Sequence, residues 1–213
     1  MTIVLFDLDD TLLDGRVIDA LALKYQFYYD LNRLRTNLKT GLLSHERTTR
    51  SIIKLLRGKR VKEILDVVKK IPLMLNTNKM LNNLRNEGYR LGVISDGLDI
   101  VVNNFAEQFS FDYSVAHKVE VKDGKLTGKV KLVNCNGKYL SWKKDVIKQI
   151  KKETNSRIIA VGNGDLDAPM LKEADIGIAF NASEQAIDMA NIVVKDKDMI
   201  IVLKAIKWSM KNL

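Results

Sequence analysis

The sequence predicts a three-layer α/β fold, a parallel sheet with helices on both faces and a small helical cap inserted after the first strand. Three observations predict it. Apolar, β-branched runs end repeatedly in turns rich in glycine, serine, asparagine or aspartate. Helical stretches alternate with those runs, and one long segment near the start breaks the alternation with helices alone.

Taken in order, TIVLF (residues 2–6) has the composition of a buried parallel strand and ends at an acidic turn. RLGVIS (90–95) repeats the design and ends in Ser-Asp-Gly, and RIIAVG (157–162) repeats it again. DIGIAF (175–180) and NIVV (191–194) are shorter copies. Between them NKMLNNLRNEG, stopped by Gly88, DIVVNNFAEQF, KKDVIKQIKKE and DMIIVLKAIKWSM read as helices. Residues 15–75 hold three expected helices, within VIDALALKYQFYYDLNRLR, HERTTRSIIKLLRG and VKEILDVVKKI, and no strand pattern. The chain therefore divides into a core of residues 1–14 and 76–213 and a helical cap of residues 15–75. In YSVAHKVEVKDGKLTGKVKLV, Asp123-Gly124 sits between alternating runs and signals a β-hairpin.

Composition narrows the function classes. With 46% hydrophobic and 29% charged residues over 213 positions, the chain is globular and not disordered. No run reaches about eighteen uninterrupted apolar residues, and MTIVLFDLDD lacks the pattern of a secretion signal, so a cytoplasmic protein without membrane association is expected. The single cysteine, Cys135, excludes an internal disulfide and fits a reducing compartment. The net charge of +9 is concentrated at residues 118–157, where twelve Lys/Arg face four Asp/Glu. No nucleic-acid-binding motif accompanies that charge, which favours a solvated lysine-rich face over a nucleic-acid partner.

The reactive residues collect at strand ends. In an open parallel sheet the functional crevice lies beyond the carboxyl ends of the strands. The first strand ends in Asp7-Leu8-Asp9-Asp10-Thr11, the second in Ser95-Asp96-Gly97, and the strand at 157–162 in Gly162-Asn163-Gly164-Asp165-Leu166-Asp167. Lys143 and Lys144 begin a helix between the last two. Carboxylates with an amide oxygen suit Mg²⁺, a hard ion that prefers oxygen ligands. A hydroxyl, a glycine amide and a lysine suit a phosphate, and the combination points to phosphoryl transfer.

The order DxDxT, serine at a strand end, lysine, then Gly-x-Gly-x-x-Asp resembles the haloacid dehalogenase superfamily over essentially the whole chain. It is closest to the phosphoserine phosphatase-like branch, which shares the cap, the VKDGKLTG hairpin and the GIAF strand. The resemblance implies a Rossmann-like core and Mg²⁺-dependent hydrolysis of a small phosphorylated metabolite through an aspartyl-phosphate. It implies that Asp7 is the nucleophile and Asp9 the general acid and base. Ser95, the Gly97 amide and Lys143 would hold the phosphate, Lys143 being preferred to Lys144 because Ile147 follows it as in the family's Lys-Gly-x-x-Leu. The ion would be held by Asp7, the Asp9 carbonyl, Asn163 and a water on Asp167.

The chain departs from this pattern in several places. Asn163 stands where the family has a carboxylate, Leu166 where it has asparagine, and Asp96 where the branch often has glycine. Metal should bind more weakly as a result, unless a rotated turn brings Asp165 in to compensate. The acid and arginine that read an amino-acid substrate in the branch align with Arg16 and Ile52, with Arg50 one register shift away. An ester other than phosphoserine is therefore expected, Arg16 favouring an anionic or sugar-like leaving group. His45, His117, Tyr25, Phe27, Tyr28, Tyr29 and Trp142 are expected to pack or face solvent. Two alternatives remain beside the hydrolase: a phosphotransferase using the same site, and a catalytically weakened protein that binds a phosphate ligand.

Overall fold

The computed structural model describes residues 1–133 and 139–212 of the chain; Cys135 lies outside them. The strands are β1 (Thr2–Phe6), β2 (Arg90–Leu98), β3 (Tyr113–Lys122), β4 (Lys125–Lys131), β5 (Arg157–Gly162), β6 (Ile176–Phe180) and β7 (Ile192–Val194). They form one sheet in the order β4-β3-β2-β1-β5-β6-β7. All neighbours pair in parallel except β3 and β4, which form an antiparallel hairpin with β4 at the edge. The chain leaves central β1 toward one edge and returns through β5 on its other side, so the crevice beside β1 is a topological switch point.

Alternate residues of β1 serve opposite faces, as the twofold period of a strand requires. Ile3 and Leu5 pack with Trp142, Ile147 and Ile150 of α7 (Trp142–Thr154) and with Met170 and Leu171 of α8 (Ala168–Glu173). Val4 and Phe6 join the core that holds Met80 and Leu84 of α5 (Thr77–Asn86), Val102 and Phe105 of α6 (Asp99–Gln108), and Val202 and Ile206 of the last helix (Met199–Asn212). Residue burial near zero along β1 anchors its last residue, and hence Asp7, rigidly. Among the described residues no helix is long and apolar enough to cross a membrane.

Residues 15–75 hold four α-helices, not three: α1 (Val17–Lys24), α2 (Tyr28–Lys39), α3 (His45–Leu55) and α4 (Val61–Val68). The single helix expected across residues 17–35 breaks at Gln26, whose φ is +60°. On an unbroken helix Leu21 and Phe27 would point about 120° apart. The break turns Phe27 and Leu31 into the same core as Leu21 and leaves Tyr29 in solvent. Ser44 starts α3 by accepting from the Arg47 amide, a standard helix cap.

Backbone hydrogen bonds join the insertion to the sheet domain in two main groups. Where its chain crosses, Leu13 and Leu73 form a bridge and the Asp14 amide donates to the Pro72 carbonyl at 2.8 Å. Farther along, its α3–α4 turn is bonded to the tip of the β3–β4 hairpin. The Gly58 amide donates to the Leu126 carbonyl at 2.7 Å, the Leu126 amide to the Lys59 carbonyl at 2.9 Å, and the Val61 amide to the Gly124 carbonyl at 2.9 Å.

The second strand also extends beyond its expected end. It continues to Leu98, with Asp96 and Gly97 bulging out between the Ser95–Ala116 and Leu98–His117 pairs. Bulges of this kind re-aim side chains at sheet rims, and this one lifts Asp96 toward α7, where Trp142 donates to it.

Candidate active site

Asp7 is the residue after β1, its amide still bonded to the Val161 carbonyl of β5 at 2.9 Å. The strand pairing thus fixes the carboxylate at the floor of a cavity of about 440 Å³ that opens between the sheet's carboxyl ends and the helical insertion. Lys143, in the first turn of α7, reaches the same floor. Its Nζ donates to Asp7 Oδ1 at 2.7 Å and Asp167 Oδ1 at 2.6 Å and lies 3.3 Å from Asp96 Oδ2. Three carboxylates thus surround an ammonium that has three protons to give.

Burial works against the charge on Lys143, but Asp167, Asp7 and Asp96 together overcome it and hold the group well above the ordinary lysine pKa. Burial is also the main influence on Asp7, reinforced by Asp167; together they outweigh Lys143 and raise its carboxyl well above the usual range. Asp9 is pushed up to about 6, again chiefly by burial, with the Val17 amide acting in the opposite direction. That amide donates to Asp9 Oδ1 at 3.0 Å at the start of α1, so Asp9 is a helix cap as well as a cavity residue. Oδ2 of Asp9 has no hydrogen-bond partner among the described residues.

The Gly-x-Gly-x-x-Asp turn is built around Asp167. Its Oδ2 accepts from the amides of Asn163 and Gly164, both at 2.9 Å, while Oδ1 takes the Lys143 proton. Gly162 makes the approach possible, since a Cβ there would lie 2.7 Å from the Asp167 Cβ. Asn163 Oδ1 accepts only a long bond from Thr11 Oγ1, 3.4 Å. Asp165 does not rotate toward Asp7 as a substitute: its Oδ1 accepts from Ser183 at 2.5 Å. Ser95 is buried, and its Oγ accepts from the Gly97 amide at 3.1 Å.

The structure therefore brings Asp7, Asp9, Arg16, Ser95, Gly97, Lys143, Asn163 and Asp167 to one cavity. Lys144 lies outside it, 3.7 Å from Glu173. Arg50 is not in the cavity; it bonds Glu46 and the Val130 carbonyl of β4. Ile52 lines the cavity, as do Arg35, His45 and Thr48, which sequence reasoning missed. Spacing on α3 carried a signal for the last of these, because Thr48 and Ile52 lie one turn apart on the same helix face.

Asp96 points into the cavity and is held there by two aromatic neighbours. Trp142 Nε1 donates to its Oδ1 at 2.9 Å, and the Nε2 of His117 lies 3.7 Å from the same oxygen. His117 accepts the Val133 amide at Nδ1, so its proton sits on Nε2, facing Asp96. Burial holds this imidazole below its ordinary pKa, in the neutral form.

A buried carboxylate ending the central strand, a second acid two residues on, a serine on the neighbouring strand and a lysine-aspartate pair across the crevice form a site suited to phosphoryl transfer on an α/β fold. A family model described as haloacid dehalogenase-like hydrolase matches residues 4–172, and a second of the same description matches residues 141–206. The chain belongs to the haloacid dehalogenase-like hydrolases, in the phosphoserine phosphatase-like branch, and is an enzyme of the phosphatase type. It is 31% identical to the phosphoserine phosphatase of Methanocaldococcus jannaschii over 96% of this chain and 97% of that protein. To the phosphoserine phosphatase of Lactococcus lactis subsp. lactis it is 29% identical, over 95% and 94% of the two chains. A solved phospho-aspartyl intermediate analogue of phosphoserine phosphatase superposes with a TM-score of 0.83 at 30% identity, covering 95% of this chain and 97% of that one.

Proposed function

We propose that the protein is a Mg²⁺-dependent phosphatase that hydrolyses a small phosphomonoester, other than phosphoserine, through an aspartyl-phosphate on Asp7, with residues 15–75 acting as a cap over a core of residues 1–14 and 76–213. The observation that carries this reading is the buried Asp7–Lys143–Asp167 cluster at the end of the central strand, with Asp9 two residues on in the same cavity.

Beside the Lys143 ammonium, which cannot ligate a metal, the groups around Asp7 offer oxygens, and among the described residues no group of three His, Cys, Asp or Glu forms a ready-made metal cage. One carboxylate, an amide oxygen and a backbone carbonyl are donors for Mg²⁺, which keeps waters and shares its substrate's phosphate. Asp7, Asn163 and the Asp9 carbonyl would hold the ion. Asp167 would act only through water, since both its oxygens are already hydrogen-bonded. When bound, the ion supplies charge neutralisation for the phosphoryl oxygens.

The residues divide the chemistry as follows. The Asp7 oxygen not bonded to Lys143 attacks phosphorus, and the bond from phosphorus to the leaving oxygen breaks as Asp9 delivers its proton to that oxygen. Raised to about 6 by burial, Asp9 is poised both to give that proton and to take one from the water that cleaves the aspartyl-phosphate. Lys143 and the Ser95 hydroxyl hold the transferring group, the Gly97 amide exchanging its bond to Ser95 Oγ for a phosphoryl oxygen, and the cap excludes bulk water from the first step.

The test is Mg²⁺-dependent phosphate release from an aryl phosphate by the parent and by Asp7→Asn. Release that depends on Mg²⁺ and vanishes in Asp7→Asn is expected; equal release from both proteins would refute the role of Asp7. Asn163 gives one specific reason to keep a second reading, a protein that binds its phosphate ligand and turns it over feebly. In that case Asn163→Asp raises the rate at low Mg²⁺, whereas an unchanged Mg²⁺ dependence removes the reason for it.

A further inference from the structure

The wall that the insertion contributes to the cavity contains no carboxylate among the described residues. It offers Arg16, Arg35, His45 and Thr48 among apolar side chains such as Leu21 and Ile52. Arg16 donates through Nε to Asp10 at 2.5 Å, and Arg35 through one terminal nitrogen to Asp19 at 2.6 Å. Neither Asp10 nor Asp19 lines the cavity. A guanidinium has five N–H donors in a planar fork. Each pairing therefore fixes an arginine's orientation with one donor and leaves the remainder of the fork for an acceptor.

Thr48 is an independent observation. It forms part of the same wall, is 4% exposed, and its Oγ1 has no hydrogen-bond partner among the described residues. Buried hydroxyls in folded proteins almost always find a partner, protein or ordered water, so this one has a hydrogen bond left for a water or a ligand atom to complete. An ammonium group here would meet two guanidinium groups and no carboxylate on the wall. An uncharged chain would leave the donors unanswered, whereas a second anion answers them and the apolar side chains suit a short aliphatic spacer.

We propose that the ligand accepted beside the phosphoryl group carries, across a short aliphatic body, a second anionic group, carboxylate or phosphate, and no ammonium. This deepens the phosphatase reading and rests on it for the placement of the phosphoryl group.

Phosphonates test it, because their carbon–phosphorus bond is not hydrolysed and binding is read whether or not the protein turns esters over. Calorimetric titration of the Mg²⁺-loaded full chain compares butylphosphonate, phosphonobutyrate, its α-amino derivative and butane diphosphonate. Phosphonobutyrate or the diphosphonate should bind about tenfold or more tightly than butylphosphonate, the increment of a charge-assisted hydrogen bond. Whichever of the two binds better identifies the anion, and the amino derivative should bind more weakly than phosphonobutyrate. Equal affinities, preference for the amino derivative, or no binding of either dianionic probe overturns the proposal. In Arg35→Met and Thr48→Val the preference over butylphosphonate should shrink, and its full retention in both overturns the assignment to this wall. Aryl phosphate hydrolysis by the same preparations separates the two readings. Release without anion selectivity refutes this inference alone, and selectivity without release refutes the hydrolase reading alone.

Discussion

Replacing Asp96 by asparagine should tighten the binding of inorganic phosphate. In the folded chain Asp96 Oδ2 lies 3.3 Å from Lys143 Nζ, and Oδ1 accepts the Trp142 indole proton at 2.9 Å. A unit charge pair at 3.3 Å is worth about 5 kcal/mol at an effective dielectric constant of about 20 and about 1 kcal/mol in bulk water. The Asp96 side chain is 23% exposed, so water reaches one side of the pair and the lower figure is the safer one. Removing the charge frees a Lys143 proton for the incoming anion and removes a like charge from its pocket. A gain of about 1 kcal/mol corresponds to an inhibition constant for phosphate about fivefold lower. Asparagine keeps an acceptor for the indole, so folding stability should change little. Asp96→Ala removes that acceptor too and should cost a further 1 to 3 kcal/mol, roughly, in urea denaturation. The assay is competitive inhibition of aryl phosphate hydrolysis by phosphate, read alongside the urea midpoints. An inhibition constant that rises or stays level in Asp96→Asn, with stability intact, would refute the view that Asp96 draws Lys143 away from phosphate.

Gly162→Ala places a Cβ at 2.7 Å from the Asp167 side chain, so Asp167 must shift and release Lys143. Urea denaturation should show a loss of about 1–3 kcal/mol, together with a larger fall in kcat/KM than in stability-matched core variants. Asp175 tests linkage away from the site. Burial pushes it up, but the Ile158 amide and Lys151 reverse that and hold it below the ordinary carboxylate value. Its contribution is therefore present above the unfolded pKa of about 3.9 and is lost as pH falls through the lower folded value. Asp175→Asn should be less stable than the parent at pH 7, roughly, and the gap should narrow as denaturation is repeated toward about pH 3; a gap independent of pH would contradict the shift.

Much of the fold was legible because strands with both faces buried leave little freedom in the sequence. TIVLF is apolar after its first residue and RIIAVG between its ends, and each delivers its acidic turn to the crevice. Lys143 could be picked from Lys144 by the apolar Ile147 one turn later, which packs beneath β1 and points the lysine into the site. The break at Gln26 was not legible, since a positive φ at glutamine is dictated by where Phe27 and Leu31 must be buried and not by local propensity. The bulge at Asp96 and Gly97 was hidden for a similar reason: it depends on the register with β3 and on an indole donated from α7. Arg35 could not be placed because the helices of the insertion carry residues for two surfaces, the core beneath and the cavity beside it.

The bonds between the hairpin tip and the α3–α4 turn would resist any movement of the helices away from the sheet. The two chain crossings at Leu13 and Leu73 lie side by side and by themselves would act as a hinge. The three backbone bonds at Gly58, Val61 and Leu126 add a tether some distance along the swinging part. Swinging the helices away from Asp7 must then either break those bonds together or flex the β3–β4 ribbon, whose register already shifts between Val119 and Val121. In such a swing the ribbon would be loaded like a leaf spring, resisting the movement without any of its residues touching the substrate.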